Sequence, residues 1–117
     1  MDNRLQQLET LGIDVETTLK RFCGNANLLM SMLEVFVRED TLEKLPEAMR
    51  AKDYEAAESI AHAVKGTAAN LGLASLSTRC DALVQAIRAN HLHNVDDLAL
   101  AALESYRTAR ANINALS

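Results

Sequence analysis

Near the end of the chain, Val95, Ala99, Ala102, Tyr106, Ala109, Ile113 and Leu116 follow one another in steps of four and three. A helix of 3.6 residues per turn brings that spacing onto one face. The alternation is also that of a seam packed nearly antiparallel against its neighbours. The rest of the chain has the same grain. One proline and four glycines interrupt 117 residues, and aromatic residues make up only 3%. Ala and Leu dominate, and unbranched side chains keep their rotamer freedom on a helix, so the composition favours helix over strand.

Four such helices are expected, preceded by short ones. Residues 5–11 read as a helical arm. Asp14 caps a second short helix with Val15, Leu19 and Phe22 at helical spacing, and Gly24 ends it. A long helix starts near Asn25 with the stripe Leu28, Leu29, Met32, Leu33 and Phe36, continued by Leu42, Leu45 and Met49. Residues 38–41 interrupt this pattern, and Pro46 lacks the amide that would bond to Leu42. The reading is one helix kinked on its way to Ala51, with two shorter helices as the alternative. Asp53 caps the next helix, whose stripe is Ala57, Ile60, Val64, Thr67 and Leu71, and Gly72 stops it. Residues 74–89 bury Leu76, Cys80, Leu83 and Ile87, and a polar loop at 90–94 leads to the last helix. The expected fold is all-α. It is a single domain built as an up-down-up-down four-helix bundle over 25–117, with the short N-terminal helices in 1–24.

Several functions are excluded or disfavoured by this composition. A net charge of −4 with no basic stripe argues against nucleic acid. No apolar run approaches the roughly 20 residues that span a bilayer, and the first residues open no signal peptide, so no membrane contact and a cytoplasmic setting are expected. Cys23 and Cys80 have no metal spacing and read as two small buried hydrophobes in a reducing compartment.

His62 is the informative position. At about 100° per residue it points roughly 170° away from the stripe on its helix, into water. Ser59 lies at i−3, Glu58 at i−4, Lys65 at i+3, Gly66 at i+4 and Ala69 at i+7. A mid-helix glycine costs roughly 1 kcal/mol relative to alanine, and the usual reason for one is close approach of another body. Gly66 and Ala69 leave a bare strip beside an imidazole that is nucleophilic near neutral pH. Phosphoryl transfer needs in-line approach and positive charge on the equatorial oxygens, which Lys65 can supply. The chain has no Gly-rich nucleotide loop and no carboxylate arrangement for Mg²⁺, so magnesium and catalytic geometry are expected on a partner, with no cofactor of the chain's own.

The run Ala61-His62-Ala63-Val64-Lys65-Gly66-Thr67-Ala68-Ala69-Asn70-Leu71-Gly72 closely resembles the signature of the histidine-containing phosphotransfer family, a His-x-x-Lys-Gly core followed by small residues and a second glycine. Gly12-Ile13-Asp14-Val15, residues 28–36 and the Asp53 helix start resemble its upstream segments, so the likeness spans about 12–90. The resemblance implies His62 as phosphoacceptor, Lys65 as the group that stabilises the phosphate, and Gly66 as the residue that keeps access open. It implies a non-enzymatic phosphocarrier in a two-component phosphorelay. The partners would be receiver domains of response regulators or of a hybrid histidine kinase. Many members carry Leu-Glu where this chain has Leu83-Val84. A receiver is expected over Ser59, Gly66 and Ala69, and, because a hairpin turning near Lys52 places His62 level with Leu42, over Arg38, Thr41 and Leu42. The carrier is expected to be a monomer.

Three rival readings are weaker. Di-iron bundles need inward Glu-x-x-His pairs, and none occurs here; His91 and His93 make a His-x-His pair without a third ligand. A binding or dimerisation module without phosphorylation would have no use for the histidine and lysine together. An autonomous enzyme lacks a substrate or nucleotide motif.

Overall fold

The computed structural model describes residues 3–116, and all the regular secondary structure among them is helical. Helix α1 is Asn3–Thr10, α2 Val15–Arg21, α3 Ala26–Arg38, α4 Leu45–Arg50, α5 Tyr54–Asn70, α6 Ala74–Arg88 and α7 Val95–Asn114, with 3₁₀ turns at Thr41–Lys44 and Leu92–Asn94. Helix α5 packs on α6 and α6 on α7, while α7 also meets α3 and α4 and so closes one apolar core.

Local chemistry explains most boundaries. The carboxylates of Asp14 and Asp53 accept the amides of Thr17 and Ala56, each at 3.1 Å, and the amide oxygen of Asn25 accepts that of Leu28 at 3.0 Å. These are N-caps that satisfy otherwise orphaned donors. At the far end of α5 the amide of Leu73 donates to the carbonyl of Ala68 at 2.9 Å across Gly72, which has φ +80°. That is a left-handed helix stop. Arg21 of α2 donates to the carbonyls of Ala69 and Asn70 at 3.0 and 3.1 Å, covering the last turn.

The long helix is two helices. It stops at Arg38, and Glu39 is extended with ψ 142°. The freed carbonyls are taken by α7: Arg110 donates to Val37 O at 3.1 Å and the Tyr106 hydroxyl donates to Glu39 O. The Tyr106 ring meets Phe36 edge-on at 5.5 Å, and Arg107 forks onto Glu43 to anchor the 3₁₀ turn. Pro46 makes no kink. It lies in the first turn of α4, where a missing amide costs nothing.

The core differs from expectation in detail. On α5 the buried residues are Ala57, Ala61, Val64 and Ala68, while Ile60 is half-buried and Thr67 is exposed, its hydroxyl bonded to Ala63 O. Three alanines let the neighbouring helices close on α5 more tightly than the larger side chains would. On α3, Leu28 and Met32 are exposed and Met30 is buried instead. Ile87 of α6 is half-buried, and Val84 fills the core beside Leu83. Cys80 is buried and its thiol is pushed up to about 11 by desolvation. Cys23 is exposed, because it sits in the left-handed turn after α2 with φ +55°.

Candidate functional site

His62 stands in the middle of α5, exposed, and no side chain among the described residues hydrogen-bonds to it. With the observed buried set it points roughly 140° from the core direction, tilted toward α6. Ser59, Gly66 and Ala69 are exposed on the same side of α5. A Cβ placed on Gly66 would have no neighbour within 4 Å. Nothing among the described residues requires a glycine there.

Lys65 is turned toward α6. It is half-buried, and its ammonium donates to Asp81 Oδ1 of α6 at 2.8 Å, while its carbonyl accepts the Ser77 hydroxyl at 3.2 Å. Gln85 donates to the same Asp81 oxygen at 3.2 Å. The Lys65 bond first, then that of Gln85, hold the Asp81 carboxyl below its ordinary value. One turn to the other side of His62, Glu58 pairs with Arg88 of α6. These two pairs set the antiparallel register, so that His62 lies level with Val84 and Gln85. Val84 is fully buried, so this position of α6 faces the core.

The sequence reading missed Asp81, Gln85 and Arg88. A signal existed: Glu58 and Lys65 are seven apart, as are Asp81 and Arg88, in the same order of sign. Two antiparallel helices with that pattern pair the opposite charges at both levels.

Across α5 the 3₁₀ turn comes close. Thr41 is half-buried and, with Phe36, Glu39, Ala63, Thr67 and Tyr106, lines a small cavity of about 40 Å³. Arg38 is exposed. Leu42 is fully buried and leaves the expected docking face, because the break at Glu39 turns it into the core. His91 and His93 are exposed, and no group of three or more His, Cys, Asp or Glu side chains among the described residues is placed to hold a metal.

The mid-helix histidine is thus left bare, with a lysine and an open glycine on the next turn, and the model of the Hpt domain matches residues 31–115, more than half of the chain. The chain belongs to the Hpt domain family. A further relative is a protein of Candida albicans (strain SC5314 / ATCC MYA-2876) described as phosphorelay intermediate protein YPD1, 40% identical over 53 residues. That stretch covers 44% of this chain and 29% of the relative, so the likeness spans under a third of the fungal protein. No solved structure matches. No helix among the described residues is long and apolar enough to cross a membrane.

Proposed function

We propose that this Hpt domain accepts a phosphoryl group on His62 from the aspartyl phosphate of a receiver domain and passes it to the aspartate of another. The reading rests above all on one observation: His62 is exposed and unbonded beside Gly66, over which none of the described residues passes. The unprotonated ring nitrogen attacks phosphorus in line, the N–P bond forms, and the P–O bond to the carboxylate breaks with its electron pair returning to that carboxylate. The ring keeps the proton on its other nitrogen. The return step reverses this. Lys65 supplies positive charge to the phosphoryl oxygens.

The chain acts as a phosphocarrier, in the cytoplasm and as a monomer; magnesium and the catalytic geometry come from the receiver. The receiver covers Ser59, Gly66 and Ala69, with Arg38 and Thr41 as the second contact. A carrier must release its partner, so the interface is small, below about 1,200 Å² in total. The helices after Asn25 are taken to follow one another up and down around the core, as in a bundle with short loops.

The test is incubation with a radiolabelled phospho-receiver. Acid-labile, base-stable label on the chain is expected, and none on His62→Gln. As a change on the solvent face, that substitution moves stability by less than about 0.5 kcal/mol. Label on the variant, or its unfolding, overturns the assignment.

A further inference from the structure

Lys65 is the cation nearest His62 along α5, yet its charge is already engaged, at 2.8 Å, by Asp81 on the neighbouring helix. Both side chains are partly solvent-exposed, 33% and 43%, so the pair is free to open. Asp81 is also the better anchored of the two. Gln85 holds the same oxygen at 3.2 Å, and its own helix position lies level with the imidazole. A lysine side chain has four rotatable carbons and a residue at i+3 is a neighbour on the helix surface, so the ammonium can swing from Asp81 to a phosphoryl group on His62 without any backbone motion. When it does so, the Asp81 carboxylate keeps the Gln85 bond and is not left bare.

We propose that Asp81 is a positioning residue that parks the Lys65 ammonium while His62 is empty and, by competing for it, weakens the hold of the chain on its phosphoryl group. The inference rests on His62 being the acceptor. It has a functional consequence. A phosphoryl group gains from Lys65 only the difference between two anionic partners, not the full worth of a free lysine. A carrier has to give up what it accepts, and a lysine with no other partner would shift the exchange toward the loaded state. Asp81 therefore sets where that equilibrium lies. Loss of a partly exposed pair is worth a few-fold at most, so removal of Asp81 should shift the loaded-to-unloaded ratio upward by between about two- and fivefold.

Phosphoramidate tests this without a receiver. His62 displaces ammonia from it: the new N–P bond forms as the old one breaks, and the leaving nitrogen takes a proton. The ratio of loaded to unloaded chain at fixed phosphoramidate and ammonium concentrations is read by ³¹P NMR, and the Lys65 ammonium by its ¹⁵N resonance. In the wild type the Lys65 resonance should move on loading. Asp81→Asn should raise the ratio two- to fivefold, Asp81→Glu should restore it, and in a Lys65→Ala background the Asn substitution should have a smaller effect. An equal effect in both backgrounds would show that the carboxylate acts on the phosphoryl group directly through space and overturns the proposal. So would a Lys65 resonance unchanged by loading, or a ratio unchanged in Asp81→Asn. Failure of the wild-type chain to load at all would instead remove His62 as the acceptor, a different result from any of these.

Discussion

Gly66 and Gly72 stand six residues apart around the second half of one helix, and they are there for opposite reasons. Gly72 has φ +80°, and a Cβ on it would lie 2.3 Å from Thr18 Oγ1 and 2.9 Å from Ile13 Cγ2. The chain itself demands this glycine, because α2 and the turn before it press on the end of α5. Gly66 has a helical backbone and open space around it. The end of α5 is thus closed by the fold, and its middle is kept open although an alanine would suit the helix better. A glycine that its own chain does not require points outward, to something that comes and goes.

The substitution with the largest expected effect is Gly66→Gln. Held even about 1 Å too far, a receiver aspartate loses roughly two orders of magnitude in transfer rate to His62. The helix meanwhile gains, by less than about 1 kcal/mol, since glutamine is the better helix former. Stopped-flow transfer from a phospho-receiver and thermal melting should therefore move in opposite directions. Wild-type transfer in a folded variant would show that partners reach His62 from another side.

Gly72→Ala should reverse the pattern. A left-handed backbone and contact with Thr18 together cost about 2–4 kcal/mol, or roughly 10 °C or more in melting temperature. Transfer by the fraction still folded should be unchanged, because the distortion falls at the other end of the exposed strip. A melting temperature within a degree or two of wild type would mean that α2 yields easily and that the close packing is of little account.

Lys65→Ala is a smaller perturbation. Because the ammonium must leave Asp81 to reach the phosphoryl oxygens, its charge-assisted hydrogen bond to them is worth only about a few-fold in transfer. Receiver binding, measured calorimetrically with an unphosphorylated receiver, should stay near the wild-type value. Equal transfer rates would take Lys65 out of the chemistry.

The middle of α5 was more legible in the sequence than the segment that runs beside it. The Asp53 cap, the Gly72 stop and the outward histidine all rest on neighbours within a few residues, so a local reading reaches them. Bulk-weighted periodicity puts Thr67 in the core in place of Ala68, whereas close packing of α5 favours the alanines. The end of α3 is set from a distance. Tyr106 and Arg110 take the carbonyls of Glu39 and Val37 from more than sixty residues away, and no local pattern announces that. With the helix broken there, Pro46 became a helix start and Leu42 a core residue. The ion pairs flanking His62 needed the α5–α6 register, which the repeated seven-residue charge spacing encodes but which single-helix periodicity does not reveal.

The smallest effect separates the two regions by pH. The Asp81 carboxyl, in the middle, is held below its ordinary value of 3.8 chiefly by Lys65. Asp14, in the α2 region that presses on Gly72, is held below the same value chiefly by the Thr17 amide. A depressed carboxylate contributes stability that is present above pH 3.8 and is lost as pH falls through the folded-state value. Both regions should therefore loosen in acid, and each can be silenced alone. Asp81→Asn removes the titrating group and the ion pair together, so it should lower stability at neutral pH and flatten the acid limb of a urea-midpoint profile. Asp14→Asn removes the charge but leaves a good N-cap. It should flatten the acid limb while the neutral-pH midpoint stays almost where it was. The two sites share no partner, so the double variant should show the sum of both changes. An acid limb as steep in Asp81→Asn as in wild type would mean that the Lys65 tie contributes nothing to the fold, leaving the middle of α5 to its buried residues and the Glu58–Arg88 pair.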